Sequence, residues 1–562
     1  MTTPTLAIAC AALPPEGADT SLGRPDAGIM NHLQHHHVLI LGLGTSGLAM
    51  ARWCARAGAR VTVADTRATP PQLASLQRDV PAACFVAGAL DAALLQDGIT
   101  AVFKSPGLSP ADIATLAQAA QAKAIPVAGE LGLFSQALTE LRSSRDYAPK
   151  VLAITGTNGK TTVTSLTGQL VERAGKSVAV AGNIGPTLLD TLMARLDGDA
   201  LPEVWVLELS SFQLEGERSF EPTAGAVLNI SQDHLDWHGS MAAYVQAKKA
   251  VFGKQGLMVL NREDEVVMGM LSADMPPLGA KAPLLGGSAA HAMASVGATK
   301  APPVKVKLQK PQQRDCVTFG GDMPQRPGDF GIETVNGMAW LVRALEADET
   351  IKPRKGEAPE LFFQRLMPVD ALRIRGRHNA INALSALALA CAAGCALGPM
   401  LYGLREYGGE PHRVQPVGII NGVEFFDDSK GTNVGATVAA LQGLGSEHKV
   451  VVILGGEGKG QDFSPLAEPV RRFCRAVVLI GRDAALLRVA LQDAQVPLLD
   501  APSMAEAVVL ASAQAQAGDA VLMSPACASF DMFDNYEHRA RMFVQAVQNL
   551  ALQAGVMLEG NP

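Results

Sequence analysis

The chain has 562 residues, enough for roughly three or four domains that each bury a hydrophobic core. Hydrophobic residues make up 48% of the chain and charged residues 18%, and the formal net charge is −7, as in an ordinary soluble enzyme. Because there is no long basic run, the sequence offers no electrostatic surface for nucleic acid. The eight cysteines form no CxxC pair, so neither a zinc knuckle nor a disulfide framework is predicted.

The first 36 residues contain a short apolar stretch with no basic segment before it, unlike a secretory signal. We expect residues 1–36 to be a flexible leader, with Met30 as a second candidate start. From residue 37 to 146, apolar runs such as HVLILGLG and RVTVADTR alternate with helical patterns such as LAMARWCARAG. This alternation predicts βαβ units and a mostly parallel sheet. A polar linker is expected over 142–150.

A glycine-rich turn follows the first strand of this domain. GLGTSG places Gly42, Gly44 and Gly47 directly after the strand, and Asp65 ends the next strand. In Rossmann-like domains this spacing binds a diphosphate on the turn and a ribose on the acid. On these residues alone, a nicotinamide-dependent dehydrogenase is one candidate function.

The alternation restarts at Val151 and predicts a central domain over 147–412. In VLAITGTNGKTTVTSLTGQL, a β-branched strand runs into a Gly/Asn turn, and a helix follows Lys160. Such a turn lets backbone amides converge on phosphate oxygens, while Lys160 would reach the β- and γ-phosphates and Thr161 would offer a hydroxyl to Mg²⁺. The loop departs from the standard P-loop, because Ile154 stands where the pattern requires glycine.

The rest of the chain predicts one insertion and a third domain. Residues 273–335 are rich in Pro, Gly and Ala without a clear period, which is typical of a loop insertion. The Ala-rich stretch 381–404 favours a buried helix over a membrane span, since it carries polar residues. A third α/β unit is expected over 413–562. The predicted fold is therefore three α/β domains: a Rossmann-like first domain, a central P-loop ATPase-like domain with a mostly parallel sheet, and a Rossmann-like C-terminal domain.

The sequence GTNGKTT resembles the ATP loop of the Mur ligases and of the related folylpolyglutamate synthases, in which the loop is one turn shorter than a standard P-loop. These enzymes form an amide from a carboxylate, an amine and ATP through an acyl-phosphate. The resemblance covers roughly residues 38–560 and is patchy over 273–370. It implies an ATP site made of Gly156, Thr157, Asn158, Gly159, Lys160, Thr161, Thr162, Asn379, Asn382, Arg413 and Asp428, with His412 beside it.

Two further segments, LELSSFQLE and NISQDHLDWHGSMAAYVQAKKAVF, resemble the family's metal-binding blocks. They imply two Mg²⁺ ions held by Thr161, Glu208, His234 and Lys248, the last as a carbamate formed with CO₂. The neighbouring Lys249 leaves the register of the carbamylated lysine open. The implied catalytic residues are Lys160, Lys248 and His234.

The outer domains resemble the substrate-binding parts of the family. The first implies a UDP-sugar site of Thr45, Ser46, Asp65, Thr66, Arg67, Ser105 and Gly107, joined by Asn183 from GNIG in the central domain. In the third domain, DDSKGTN, GGEGKGQDF and SPACASFDMFDNYEHRA imply a D-glutamate site of Lys430, Thr432, Lys459, Ser529 and Tyr536. The signatures of the members that add L-alanine or a diamino acid are absent, which favours D-glutamate.

The resemblance therefore predicts an ATP-dependent amide ligase of peptidoglycan precursor synthesis that adds D-glutamate to a UDP-N-acetylmuramoyl substrate. Its expected partners are small molecules alone, with no nucleic acid and no membrane insertion, and the enzyme is expected to be a cytoplasmic monomer. Another Mur ligase or a folylpolyglutamate synthase is the alternative, although the folate enzymes would lack the first domain. A dehydrogenase would leave Lys160 without a role.

Overall fold

The computed structural model describes residues 8–9, 33–96, 98–271, 314–348, 359–445 and 448–558. These residues form three sheets, of six, nine and six strands, arranged in series along the chain. Most neighbouring strands are parallel, which confirms the predicted α/β class. Most of the expected leader lies outside the described residues, and so do residues 273–313 of the expected insertion.

The first sheet is built around the glycine-rich turn. Its strands are β1 (Ile8–Ala9), β2 (His37–Leu41), β3 (Arg60–Asp65), β4 (Cys84–Ala87), β5 (Ile99–Lys104) and β6 (Val127–Ala128), and its helices are α1 (Thr45–Arg56), α2 (Leu73–Asp79), α3 (Ala114–Ala122) and α4 (Glu130–Arg145). The strand order is β1-β4-β3-β2-β5-β6, and only β1 runs antiparallel to its neighbour. The order reverses between β2 and β5, and doubly wound sheets bind ligands at that point. The predicted linker over 142–150 is shorter than expected, because α4 continues to Arg145 and β7 starts at Lys150.

The central sheet contains the second nucleotide motif. Its strands are β7 (Lys150–Thr155), β8 (Val178–Gly182), β9 (Val204–Glu208), β10 (Ala224–Val227), β11 (Leu257–Asn261), β12 (Cys316–Phe319), β13 (Phe330–Val335), β14 (Met338–Glu346) and β15 (Leu361–Pro368). Its helices are α5 (Lys160–Arg173), α6 (Leu188–Asp197), α7 (Ser211–Leu214), α8 (Leu235–His238), α9 (Met241–Lys249), α10 (Glu265–Gly269), α11 (Arg377–Ala392) and α12 (Leu397–Glu406). The order is β15-β14-β13-β12-β11-β10-β7-β9-β8, so the carboxyl ends of β10, β7 and β9 lie side by side.

Two expectations for the central domain differ from the structure. Strands β12 and β13 lie inside the stretch predicted as a loop insertion, where they extend the sheet beyond β11. The Ala-rich stretch forms two helices, α11 and α12, because the chain turns at Gly394 with a φ of +77°. The first is buried as expected, whereas the second is buried only in part and exposes Tyr402. Across the described parts of the chain, we find no helix that is long and apolar enough to cross a membrane.

The third sheet carries the last set of predicted residues. Its strands are β16 (Gln415–Ile420), β17 (Val423–Asp427), β18 (Val450–Gly455), β19 (Cys474–Ile480), β20 (Leu498–Asp500) and β21 (Ala520–Met523), and its helices are α13 (Val434–Leu444), α14 (Ala467–Phe473), α15 (Ala484–Leu491), α16 (Met504–Gln514) and α17 (Tyr536–Gln553). The order is β16-β17-β21-β18-β19-β20, with only β16 antiparallel to its neighbour. The carboxyl ends of β17, β21 and β18 are therefore adjacent, and the loops that leave them meet.

One hydrophobic cluster extends across the first two domains, whereas the clusters of the third domain contain only its own residues. A single buried cluster contains residues from both of the first two domains, among them Trp53 of α1 and Trp205 of β9. Phe134 of α4 packs edge-on against Trp205, with 5.1 Å between the ring centroids. The apolar side chains of the third sheet form two separate clusters, one on each face. Burial of apolar surface thus joins the first two domains more firmly than it joins either to the third.

Candidate active site

A cavity of about 440 Å³ lies where the loops after β2 and β5 meet in the first domain. It is lined by all seven residues predicted there for a UDP-sugar: Thr45, Ser46, Asp65, Thr66, Arg67, Ser105 and Gly107. The predicted eighth residue, Asn183, lines a different cavity in the central domain. The turn at the reversal point therefore brings the seven predicted residues together around one cavity.

Close backbone packing explains the glycines of this turn. A Cβ atom on Gly47 would lie 2.0 Å from the carbonyl oxygen of Gly42, so helix α1 can approach the turn only without a side chain there. The Asp65 carboxylate accepts hydrogen bonds from the backbone N–H of Leu43, at 2.7 Å, and from the guanidinium of Arg67. These hydrogen bonds lower the pKa of Asp65 to about 2, with Arg67 as the larger cause. Asp65 is therefore negatively charged at neutral pH and stabilises the turn through its hydrogen bond with Leu43.

A second cavity, of about 600 Å³, lies at the carboxyl ends of β7 and β9 and is bordered by residues of the third domain. Its central-domain lining includes the predicted residues Thr157, Asn158, Gly159, Lys160, Thr161, Asn183, Glu208 and His234. Its lining from the C-terminal part of the chain includes the predicted residues His412, Arg413, Lys430, Thr432 and Tyr536. The structure thus brings most of the phosphate loop, three of the four predicted metal ligands and three of the five residues of the predicted amino-acid site into one space. The fourth predicted metal ligand, Lys248, is not part of the lining.

The phosphate loop is held by a residue that the sequence analysis did not single out. Asn229, which follows β10, accepts a hydrogen bond from the backbone N–H of Asn158 through its side chain, at 2.8 Å, and from that of Thr157 through its carbonyl, at 2.9 Å. The hydroxyl of Thr157 lies 3.0 Å from that of Tyr244. Asn229 opens the segment NISQDH, so its place directly after a strand beside β7 is the signal that could have identified it.

Two lysines meet at this loop. Lys160 donates hydrogen bonds to the carbonyl oxygens of Gly156 and Thr157, both at 2.9 Å. Lys248 is 2% exposed and donates to the carbonyl oxygen of Gly156, also at 2.9 Å. Burial lowers the pKa of Lys160 and lowers that of Lys248 further, with Lys160 as an additional cause for Lys248. At a given pH, the neutral amine therefore makes up a larger fraction of Lys248 than of an ordinary lysine.

The predicted metal ligands Glu208 and His234 line the same cavity. One oxygen of the buried Glu208 carboxylate accepts from the Asn183 amide at 2.7 Å, and the other has no hydrogen-bond partner among the described residues. Burial lowers the pKa of His234, which favours the neutral, metal-binding imidazole. No group of three His, Cys, Asp or Glu side chains suited to a metal ion occurs in the described ranges.

Residues of the third domain reach the cavity from the opposite side. The ammonium of Lys430 lies 3.6 Å from the ring centroid of Tyr536, and burial lowers the pKa of this lysine to about 8. Arg413 donates to the hydroxyl of Thr161 at 2.8 Å, and the side-chain amide of Asn433 donates to that of Asn158 at 3.0 Å. Asn433 was not predicted, although it ends the quoted segment DDSKGTN and caps α13. The phosphate loop is thus in contact with the third domain.

Several predicted residues do not line either cavity. Asp428 is buried, accepts from the hydroxyl of Ser524 at 2.6 Å, and has a pKa raised to about 7 by burial. Asn382 packs against Gly159, and its amide donates to Asn379 at 3.2 Å. The remaining residues of this group are Gly156, Thr162, Lys248 and Ser529, which are buried, and Lys459, which is exposed. Their predicted roles stay predictions.

Three family models match the chain in the order of its three sheets. A model described as the N-terminal domain of MurD-like Mur ligases matches residues 36–129, and the Mur ligase middle domain matches residues 154–279. The Mur ligase glutamate ligase domain matches residues 412–527. The matched segments contain the two glycine-rich loops and most of the third-domain residues described above.

Among curated proteins, the chain is similar over nearly its whole length to enzymes named UDP-N-acetylmuramoylalanine–D-glutamate ligase. It is 71% identical to the one from Albidiferax ferrireducens, across 94% of this chain and 99% of the relative. It is 57% identical to the one from a Polaromonas species, across 94% of this chain and 100% of the relative. Among solved structures, MurF from Acinetobacter baumannii has a similar fold, with a TM-score of 0.51, 16% identity and 92% of each chain covered.

The position of Lys160 predicts its effect on nucleotide binding. Replacing Lys160 with Ala removes a cation from the phosphate loop, and charge-assisted hydrogen bonds of this kind contribute about 1.5–3 kcal/mol. We expect the affinity for a nonhydrolysable ATP analogue, measured by calorimetric titration, to fall by about tenfold to a hundredfold. Lys150→Ala is the matched control, because Lys150 is exposed at the opposite end of β7. Equal affinities of the two variants would contradict the role of Lys160.

Proposed function

This chain belongs to the Mur ligase family, and we propose that it joins D-glutamate to UDP-N-acetylmuramoyl-L-alanine, using ATP, in peptidoglycan precursor synthesis. The observation that carries this proposal is the second cavity, where the phosphate loop of Lys160 faces Lys430 and Tyr536 of the third domain. An ATP-dependent amide ligase needs its phosphate site and its amine site within one enclosed space. The similarity to D-glutamate ligases extends over both sides of that cavity.

The reaction consists of two transfers. In the first, the carboxylate of the UDP-sugar substrate attacks the γ-phosphorus of ATP, which gives an acyl-phosphate and ADP. In the second, the amine of D-glutamate attacks the acyl carbon, an amide bond forms, and inorganic phosphate leaves. Both steps bring anions together, so positive charge near the phosphate loop should supply much of the rate enhancement. Lys160 lies where it can supply such charge.

The residues in the second cavity fit Mg²⁺. The unpartnered oxygen of Glu208 is a hard ligand of the kind that Mg²⁺ prefers, and the hydroxyl of Thr161 lies on the same wall. Thr161, Glu208, His234 and a carbamylated Lys248 are the residues that would hold it. Bound there, Mg²⁺ would neutralise phosphate charge and align the reacting groups. We further propose that the enzyme acts on its small-molecule substrates as a monomer in the cytoplasm.

The first cavity supports a UDP-sugar in preference to a dinucleotide. All seven first-domain residues implied for the UDP-sugar line this cavity, and the family model matched there is that of MurD-like Mur ligases. A nicotinamide-dependent dehydrogenase would leave the second cavity without a purpose. A folylpolyglutamate synthase would be expected to lack the first domain altogether.

The proposed function is tested by phosphate release from ATP in the presence of UDP-N-acetylmuramoyl-L-alanine. D-glutamate, L-glutamate, L-alanine and a diamino acid are offered separately. We expect release with D-glutamate alone, and we expect Lys160→Ala to abolish it while Lys150→Ala retains it. Release with a different amine would reassign the chain within the family, and no release with any amine would refute the ligase function.

We also propose that Lys248 is carbamylated. The amine must be neutral to attack CO₂, and burial of Lys248 favours that form. The nearby Lys160 would then stabilise the negative charge of the carbamate. We expect isotopically labelled bicarbonate to give a carbamate carbon signal by NMR in the wild type and in Lys249→Arg. The signal should disappear in Lys248→Arg. A signal that is lost only in Lys249→Arg would place the carbamate on Lys249 and contradict the proposal.

The lowered pKa of Lys430 predicts a pH dependence for the KM of D-glutamate. Below its pKa of about 8, Lys430 is charged and attracts a substrate carboxylate; as pH rises through 8, that charge is lost. The KM should therefore rise between about pH 7 and about pH 9.5 in the wild type, and stay flatter in Lys430→Arg, whose guanidinium remains charged. The amine of the substrate titrates equally with both enzymes, so it cancels in the comparison. Parallel KM profiles would rule out this role of Lys430.

A further inference from the structure

Arg539 on α17 is a buried cation next to the proposed amino-acid site. Its side chain is 0% exposed and is among the largest fully buried side chains of the described residues. One terminal nitrogen donates to the carbonyl oxygen of Ser429 at 2.9 Å, and the other donates to that of Cys527 at 3.0 Å. A single planar guanidinium therefore bridges two backbone carbonyls that lie almost a hundred residues apart in the sequence.

The two bridged carbonyls belong to the loops that carry the amino-acid site. Ser429 directly precedes Lys430 in the loop after β17, and Cys527 lies two residues before Ser529 in the loop after β21. Because the five N–H groups of a guanidinium have a fixed geometry, Arg539 sets the separation of these two backbone segments. Arg539 reaches neither cavity, so it can act on a substrate only through the loops.

The surroundings of Arg539 indicate a role beyond filling space. Burial lowers the pKa of its guanidinium to about 10, which still leaves it charged at neutral pH, and the acidic groups of Cys527, Asp531, Asp427 and Asp428 oppose the shift. Burying a charge is costly, and an apolar side chain of similar volume often fills such a place at lower cost in free energy. The presence of a charged arginine at this position is therefore better explained by the loop geometry that its two hydrogen bonds impose than by a contribution to the stability of the fold.

A second set of hydrogen bonds fixes the same loop from its other side. The carboxylate of Asp427 accepts from the backbone N–H of Ser429 at 3.0 Å, from its hydroxyl at 2.5 Å, and from the ring of His412 at 2.7 Å. The backbone N–H of Ala526 donates to the carbonyl of Gly431 at 3.0 Å. The segment before Lys430 is thus held at its N–H by Asp427 and at its carbonyl by Arg539.

We propose that Arg539 is a positioning residue for the amine substrate: by bridging the carbonyls of Ser429 and Cys527, it holds the loop of Lys430 against the loop that leads to Tyr536, at the separation that recognises a dicarboxylic amino acid. This inference rests on the proposed function, since it assigns D-glutamate to that site. It predicts that a change at Arg539 weakens binding of the amino acid selectively. Binding of the UDP-sugar, which involves the first domain, should be unaffected.

The test compares steady-state constants of Arg539→Lys and Arg539→Met with those of the wild type. A lysine keeps the charge but cannot hold both carbonyls in the fork geometry, so we expect the KM for D-glutamate to rise by about tenfold or more. The KM for UDP-N-acetylmuramoyl-L-alanine should stay within about twofold, because that substrate binds elsewhere. The melting temperature of each variant shows whether the fold is retained.

Arg475→Lys is the matched control. The guanidinium of Arg475 also donates two hydrogen bonds, in its case to the carboxylate of the buried Asp519. This pair lies at the amino ends of β19 and β21, away from the loops of the site. We expect this variant to keep its fold and to show no change in the KM for D-glutamate.

Three results would overturn the inference. One is an unchanged KM for D-glutamate in a folded Arg539→Lys variant. Another is an equal rise in the KM values of all substrates. The third is failure of both Arg539 variants to fold. Either of these two results would assign Arg539 a structural role alone. The proposed function is judged separately, by D-glutamate-dependent phosphate release from the wild type. If that release occurs and the Arg539 variants behave like Arg475→Lys, only the positioning role is refuted.

Discussion

The hydrogen bonds between Asn229 and the phosphate loop set the geometry on which the second cavity depends. The loop is short, and its backbone N–H groups at Thr157 and Asn158 bond to Asn229 at the end of the neighbouring strand. The side-chain amide of Asn229 in turn donates to the carbonyl of Asn158, at 3.1 Å. Because the sheet itself supplies these partners, the start of α5 and Lys160 are positioned without a ligand. Such preorganisation avoids reorganisation during the reaction.

The second cavity holds the ammonium groups of Lys160 and Lys430 beside acidic side chains such as Glu208 and Asp233. Lys248 lies outside the lining and donates to the same carbonyl of Gly156 as Lys160 does. Burial lowers the pKa of Lys160, Lys248 and Lys430, because a buried ammonium group loses part of its hydration. Keeping Lys160 and Lys430 charged at this degree of burial reduces the stability of the folded state. Both proposed substrates and ATP are anionic, so binding would restore favourable electrostatics. The destabilising arrangement is therefore consistent with a binding function and would be hard to explain in a purely structural region.

The sequence predicted the parts of the site that are local. The turns at Gly42–Ser46 and Gly156–Lys160 each lie between one strand and the helix that follows, so strand, glycine and helix signals coincide within a few residues. Asn229, Asn433 and Arg539 could not be assigned in this way, because their partners lie 71, 275 and 110 residues away. Strands β12 and β13 were missed for a related reason: their pairing with β11 and β14 outweighs a weak local pattern.

The contrast between apolar and polar contacts explains how three domains can serve one cavity. The first two domains share a buried core and are further joined by the ion pairs of Arg52 with Asp190, at 3.1 Å, and of Lys104 with Glu215, at 2.9 Å. The described hydrogen bonds from the phosphate loop to the third domain instead involve the polar side chains of Asn433 and Arg413. A hydrogen bond can be exchanged for one with water or substrate at a small net cost, whereas separating a shared apolar core exposes its surface to water. The boundary of the third domain is therefore where substrates can enter without disrupting the core that supports the UDP-sugar site.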